Sequence, residues 1–349
     1  ETDKIIGKYK GDLRIVSFQQ NKYPRLTKES HKPLDENKFG REAWYPPGHG
    51  DFYQSLLQQG LLDKLLDDGI EIIFVANADN LGAVVDCRIP RHMLDRDVPF
   101  VMEMTRKTLA DVKGGTLYLD QDGHLKLLEL ARVPEDRVEE FCSLEKFQYF
   151  NTNNIWINLR HLKRRLDEGP LDLDVIVNHK QVDGVEARRK SSNTNRKTLP
   201  VVSKLALREG VDVIQLETAI GSALGCFSGA VGLIVNRDRF MPVKKTSDLL
   251  LVQSDLFILD EKGFLLRNPA RTSADLPQVE FGDSFRKLED FQERISAIPS
   301  LINLQKLVLD GDVWLESDVT LKGNVTLVSR NGRLTISKGT VVDNEALNR

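Results

Sequence analysis

Trp44-Tyr45-Pro46-Pro47-Gly48-His49-Gly50-Asp51 sets one histidine between two glycines, behind two prolines. Proline locks φ and supplies no amide donor, whereas glycine lets the backbone turn freely or press against a ligand. A histidine held there, with bare backbone on both sides, is placed to meet an anion. A helical pattern begins at Tyr53, so an anion at residues 48–50 would also feel a helix N-terminus. Short Gly/Pro motifs have many false positives, and the alternative is a rigid surface turn with an incidental histidine.

Other chemistry-bearing residues are scattered along the chain. Asn77-Ala78-Asp79-Asn80 stands where an apolar run ends. Asp79 could cap a following helix, or its carboxylate could bind a hard cation such as Mg²⁺, which takes one or two carboxylates plus substrate phosphates. Glu103 lies on a strand among apolar residues, and Lys113-Gly114-Gly115 follows in a turn. Glu129 interrupts the apolar Leu127-Leu128-Glu129-Leu130, where a carboxylate is costly unless paired or ligand-bound. Phe150-Asn151-Thr152-Asn153-Asn154 puts several amides and a hydroxyl in one strand. These offer donors and acceptors that suit sugar hydroxyls, or else a polar edge or turn. Lys244 and Lys245 precede Thr246-Ser247-Asp248, a helix start. A lysine there suits phosphate because ammonium and amide donors converge, and an ordinary surface pair is the alternative. Together these groups suggest a site for a phosphorylated sugar and a nucleotide, yet neither GxGxxG nor a Walker loop occurs in residues 1–349.

The elements that must position these groups alternate. Residues 13–18 read as a strand, 53–66 as a helix, and the apolar run 71–77 as a central strand buried on both faces. A helix over 79–94 follows, then strands over 100–105, 116–120 and 125–133. A helix from Pro134 through Leu144, a strand over 147–158 and a basic amphipathic helix over 159–166 continue the pattern. This alternation indicates an α/β sheet with helices on its faces, where ligands sit beyond the carboxyl ends of the strands. The basic, polar stretch 186–199 breaks the periodicity and reads as a surface loop. Beyond a helix over 285–298, Gly, Asp and Asn turns separate short apolar alternations. They resemble the coils of a β-helix, with a small β-meander as the alternative.

Composition sets the outer limits. The 349 residues suffice for about two domains. Charged residues at 29% and hydrophobic ones at 40% are ordinary for a globular protein. A net charge of −3 argues against broad nucleic-acid binding, while leaving room for a local basic pocket. Cys87, Cys142 and Cys226 are far apart, so neither a disulfide framework nor a zinc site is expected, and a reducing, cytoplasmic compartment fits. No apolar run reaches the roughly 20 residues of a membrane span, and no signal peptide is visible. The chain opens at Glu1 without Met and is expected to be a fragment cut upstream.

Several long motifs in order carry a resemblance. They are the stretch 42–51, Phe74 through Gly82 ending Asn80-Leu81-Gly82, and Ala110-Asp111-Val112-Lys113-Gly114-Gly115-Thr116. Phe150-Asn151-Thr152-Asn153-Asn154, Ile214-Gln215-Leu216-Glu217-Thr218-Ala219 and residues 242–251 complete the set. From about residue 5 to residue 342 the chain resembles the eukaryotic UDP-glucose pyrophosphorylases, the UTP–glucose-1-phosphate uridylyltransferases. The resemblance implies an α/β nucleotidyltransferase fold like that of sugar-nucleotide glycosyltransferases (the A class), a mixed sheet with helices on both faces. It also implies a C-terminal left-handed β-helix. The domains would be 1–284, lacking the family's N-terminal glycine-rich loop, and 285–349.

The implied reaction converts UTP and glucose-1-phosphate to UDP-glucose and pyrophosphate, reversibly, with Mg²⁺. By the resemblance Gly48 would contact the nucleotide and His49 the substrate phosphates. Asn77, Ala78 and Asp79 would line the nucleotide and sugar site, with Asp79 as metal ligand. Glu129, Asn151 and Asn153 would face the glucose, and Lys244 would hold phosphates as the catalytic lysine. The family's lysine-bearing glycine-rich loop would lie before Glu1, and 186–199 looks inserted. Relatives assemble through the C-terminal β-helix, so a homo-oligomer is the implied partner, although this chain's end lacks their further apolar strand. A UDP-N-acetylhexosamine or broad UDP-sugar pyrophosphorylase, or a noncatalytic subunit of the same fold, are the rival readings.

Overall fold

The computed structural model describes residues 13–109, 111–183, 210–261 and 263–349, with Gly7 and Gly11. The stretch 186–199 lies outside them. The chain packs as two units, Glu1–Val75 with Asp86–Val235, and Ala76–Val85 with Asn236–Arg349. The sequence reading sets a domain boundary after residue 284, whereas the unit that holds the C-terminal strands reaches back to residue 236.

The first unit runs through β1 (Ile72–Val75), β2 (Phe100–Arg106), β3 (Thr116–Leu119), β4 (Leu125–Leu128), β5 (Tyr149–Asn158), β6 (Val175–Asp183), β7 (Gly210–Thr218) and β8 (Val231–Ile234). Its mixed sheet has the order β8-β2-β5-β1. β5 runs antiparallel to both β1 and β2, and β8 lies parallel to β2. Helices cover both faces. On one, Phe100, Met102, Ile155 and Ile157 pack against Leu56 of α1 (Phe52–Gln58), Leu62 of α2 (Leu61–Asp67) and Leu159 and Leu162 of a later helix. On the other, Val101 and Trp156 meet Ile89 and Met93 of α3 (Arg88–Arg96). Cover on both sides leaves Phe100 through Thr105 of β2 all buried, whereas β1, whose apolar run reads as a central strand, stands at the sheet edge and is half-buried throughout.

The local departures from the sequence reading have identifiable causes. The helix expected over 53–66 is two helices, because Gly60 takes a left-handed turn at φ 67° that L side chains resist. The helix expected over 79–94 forms only at α3, with Pro90 in its first turn, where no amide donor is needed. Residues 13–18 form no strand: Leu13 and Val16 are exposed, and no strand among the described residues pairs with them. β4 ends at Leu128, so Glu129 stands just past the strand. The basic helix forms as expected, as α4 (Leu159–Asp167), with Leu159, Leu162 and Leu166 inward. The Asn158 side chain accepts hydrogen bonds from the Arg160 and His161 amides at its start.

One buried carboxylate organises the middle of the sheet. Met102 pairs with Ile155 and Met104 with Asn151, so Thr152, Asn153 and Asn154 of β5 all oppose Glu103 of β2. Glu103 is fully buried. Its Oε2 accepts from Asn154 Nδ2 at 3.0 Å, its Oε1 from Trp156 Nε1 at 2.8 Å, and its carbonyl from Thr152 Oγ1 at 2.9 Å. Glu103 therefore anchors a bulge, a feature that bends a strand and re-aims its side chains.

In the second unit α5 (Thr246–Gln253) and α6 (Leu288–Arg294) precede and flank β9 (Gln278–Phe281), β10 (Leu304–Leu315), β11 (Thr320–Ile336), β12 (Val341–Asp343) and β13 (Ala346–Asn348). The pairing among β9–β13 is parallel: Val279 with Leu307, Leu307 with Val325, Val313 with Leu334, Thr320 with Val341, Thr326 with Ala346. From β10 onward each segment lies beside the one about 20 residues further on. Leu307, Leu309, Val313, Leu321, Val325, Leu327 and Val342 turn inward onto one core with Phe285 and Phe291. The helix expected over 285–298 is the shorter α6, preceded by a 3₁₀ turn at Asp283–Phe285.

Replacing the Glu103 carboxylate by an amide should set an NH₂ group against the Asn154 or Trp156 donor. Glu103→Gln is expected to lose about 1–3 kcal/mol of stability in urea denaturation. Unchanged stability would show that the carboxylate does not hold the bulge.

Candidate active site

The loop at residues 46–50 is seated on the end of β7. Thr218 N donates to Pro47 O at 2.9 Å. Tyr45 OH accepts from Leu216 N at 2.8 Å and donates to Leu216 O at 3.0 Å. Gly48 has φ 85°, and a Cβ there would stand 2.9 Å from Thr218 N; one on Gly50 would stand 2.8 Å from Thr218 Cβ. Both glycines are thus required by close backbone approach.

His49 Nδ1 accepts a hydrogen bond from Ile220 N at 2.9 Å. An acceptor nitrogen carries no proton, so the neutral ring bears its hydrogen on Nε2 and acts there as a donor. The helix expected to follow begins at Phe52. Residues His49–Asp51 form a 3₁₀ turn, and the buried Asp51 carboxylate already stands before α1. That carboxylate accepts from Asn21 N at 2.7 Å and from Ser55 Oγ at 2.6 Å.

From Ile220 the contacts lead to the sugar-facing candidates. A Cβ on Gly221 would stand 3.3 Å from Asn151 Nδ2 and 3.0 Å from Met102 Cε. Asn151 N donates to Gly115 O at 2.7 Å. A Cβ on Gly115 would stand 2.7 Å from Glu129 Cδ. The first unit thereby brings His49, Asn151 and Glu129 around two bare stretches of backbone. Asn153, inside the bulge, takes φ 62°, and its amide donates to Asn151 Oδ1 at 2.7 Å. A left-handed residue within a strand is a strained feature that asparagine tolerates better than most. Burial pushes the Glu129 carboxyl above its ordinary value, and among the described residues no donor meets it.

The second unit gathers the other candidates. Asn77 O accepts from Asn80 N at 3.0 Å, closing a turn over Asn77, Ala78 and Asp79. Asp79 O accepts from Val243 N at 2.9 Å, which puts Asp79 one residue from Lys244 across the pairing. Asp79 is no helix cap, since it lies well before α3. Its Oδ1 is buried and has no hydrogen-bond partner among the described residues. Lys244 is exposed, and among the described residues its ammonium meets no carboxylate. The Lys244 and Lys245 amides both donate to Asp248 Oδ2 at 2.9 Å. Asp248 thus takes the two amides that precede α5, Lys244's own among them.

Two further features stand apart from these residues. Asp120, Asp122 and His124 come close enough to share an ion at the exposed β3–β4 turn, but Lys126 Nζ already lies 3.1 Å from Asp120. A cavity of about 450 Å³ is lined by Met104, Leu117, Leu125, Phe147, Tyr149 and Ile234 among others, and none of the sequence-selected residues lines it. Sequence reasoning missed the supporting backbone at Gly115, Thr218 and Gly221 and the Asp248 acceptor. Gly115, Thr218 and Asp248 left a signal by falling within motifs, though no motif says what the residue touches; Gly221 left none.

A family model described as UTP–glucose-1-phosphate uridylyltransferase matches residues 1–322. The chain belongs to this family. It is 45% identical to the UTP–glucose-1-phosphate uridylyltransferase of Musa acuminata, over 100% of this chain and 69% of that protein. It is 46% identical to that of Solanum tuberosum, over 100% and 68%. Among solved structures it resembles UDP-glucose pyrophosphorylase from Leishmania major, crystallised as the G45Y mutant in complex with UDP-glucose. The TM-score is 0.78 at 30% identity, covering 95% of this chain and 68% of that one.

Two substitutions separate backbone from chemistry in this uridylyltransferase-family chain. Asn153→Ala should be less stable than Asn153→Gly by about 1 kcal/mol, because only glycine takes positive φ without strain. The opposite order in denaturant titrations would remove the strained bulge from the picture. Ionising Glu129 opposes folding, since its folded value is raised by burial. Stability is intact below the unfolded carboxyl value and falls as pH rises through the raised one. Glu129→Gln is therefore expected to melt above the parent at pH 7, the gap closing near about pH 4. A gap that widens toward acid would contradict this.

Proposed function

We propose that this chain uses its family's reaction as follows: an oxygen of glucose-1-phosphate attacks the α-phosphate of UTP, and pyrophosphate leaves as UDP-glucose forms. The observation that carries the reading is Glu129, a half-buried carboxylate raised by burial and without a donor among the described residues, lying over Gly115, whose carbonyl accepts from the Asn151 amide. Such an acceptor suits hydroxyls of a sugar, and Asn151 and Asn153 add amide donors and acceptors. His49 Nε2–H donates to the sugar-bound phosphate, and Gly48 presents bare backbone to the nucleotide.

The attacking phosphate oxygen is ionised at neutral pH, so no general base is needed, and catalysis is positioning and charge neutralisation. Lys244 holds phosphate charge as the transferred group passes between oxygens, and Asn77 and Ala78 line the nucleotide beside it. Asp79 fits a hard cation, because its buried Oδ1 meets no donor among the described residues. Mg²⁺ held there would neutralise phosphate oxygens. We read the parallel stack as the family's left-handed β-helix and as the route to a homo-oligomer, which the exposed Val341 near its end supports. Three free cysteines support a cytoplasmic location. No helix among the described residues is long and apolar enough to cross a membrane.

Lys244→Ala tests the reading directly, since an exposed side chain can be removed without disturbing a core. UDP-glucose formation from UTP and glucose-1-phosphate should fall by about 100-fold or more, with the thermal midpoint unchanged. Near-parental turnover would refute the assignment of Lys244.

A further inference from the structure

We propose that Asn80 is a positioning residue that sets the separation of the Asp79 carboxylate from the Lys244 ammonium; the inference rests on the functional reading above. Asn80 is 5% exposed. Its Oδ1 accepts from Met241 N at 2.8 Å and Gly82 N at 3.1 Å, and its Nδ2 donates to Arg239 O at 3.1 Å. Both acceptor positions of the amide oxygen are thus spent on backbone. Around this clasp the backbone itself closes a seam: Leu81 N donates to Met241 O at 3.1 Å, and Val243 N to Asp79 O at 2.9 Å. Gly82 permits the approach, since a Cβ there would stand 2.6 Å from Arg239 C and 2.8 Å from Phe240 N.

The consequence is geometric. Asp79 and Val243 form the last rung of the seam, and Lys244 follows Val243 directly. The two side chains assigned to phosphate charge leave the fold at neighbouring points of one hydrogen-bonded pairing. Asn80 touches neither substrate nor cation in this scheme. It acts through the seam, and a displacement of about 1 Å in such a pair is enough to cost about 100-fold in rate. A short side chain that cannot bridge Met241, Gly82 and Arg239 would leave buried backbone groups unsatisfied and let the two segments part.

Two measurements on Asn80→Ala decide the matter, with Asn80→Asp as the second variant should alanine not fold. Aspartate keeps the two accepted bonds and loses the donation to Arg239 O. Amide hydrogen exchange at Met241 and Val243 should quicken by about tenfold or more, while the β10 amides keep their protection. Unchanged exchange at both would overturn the clasp. Turnover should fall by about 100-fold when Lys244 is present, but by less than about twofold in the Lys244→Ala background, because the positioned group is then gone. The same fold loss in both backgrounds would overturn the positioning role and leave only a structural one. If Lys244→Ala itself left turnover unchanged, the functional reading would fall, while the exchange experiment would still judge the seam.

Discussion

The Glu103 carboxylate sits fully buried between Asn154 and Trp156 and holds three residues of β5 opposite one residue of β2. A buried carboxylate is tolerable only when its oxygens are satisfied, and here two side-chain donors meet it. The bulge it anchors forces Asn153 to positive φ and hands its amide to Asn151. Asn151 in turn bonds Gly115, over which the Glu129 carboxylate lies. The arrangement around the candidate sugar site thus follows from a group on the opposite side of the sheet.

Charge is distributed unevenly across the chain. Many of its carboxylates are matched nearby: Asp51 by Asn21 and Ser55, Asp248 by two amides, Asp120 by Lys126. Glu129 and Asp79 Oδ1 instead have no donor among the described residues, and Lys244 projects without a counter-charge. Leaving a half-buried carboxylate bare opposes folding, whereas a matched one does not. A fold accepts such groups where a ligand supplies what the protein withholds, the pattern expected of functional positions.

Much of this was legible in the chain itself. The apolar run at 71–77 announced the strand β1, but not its place: β1 stands at the sheet edge and is half-buried throughout, while β2 and β5 take the centre. The Leu159, Leu162, Leu166 spacing announced α4. Glu129, Asp79 and Lys244, selected for their chemistry, are among the bare groups, whereas Glu103, just as conspicuous in its apolar context, is fully bonded. The misplacements share one cause. Periodicity cannot see a backbone break whose reason lies in a partner: Gly60 splits a continuous leucine pattern, and residues 76–85 leave the helix expected of them to join residues 239–243.

The sequence by itself determined which residues could do chemistry and, through several long motifs in order, the family to which the chain belongs. These follow from residue type and local order, which the chain carries without folding. Only the tertiary structure decided how each group presents itself. It set the His49 tautomer through the Ile220 amide, removed Asp79 from any helix cap, spent the Lys244 and Lys245 amides on Asp248, and turned Glu103 from a candidate into an anchor. Each of these depends on a hydrogen-bond partner distant in sequence, except the Asp248 cap, which depends on how the backbone enters the helix. Partners of that kind exist only once the chain has closed on itself.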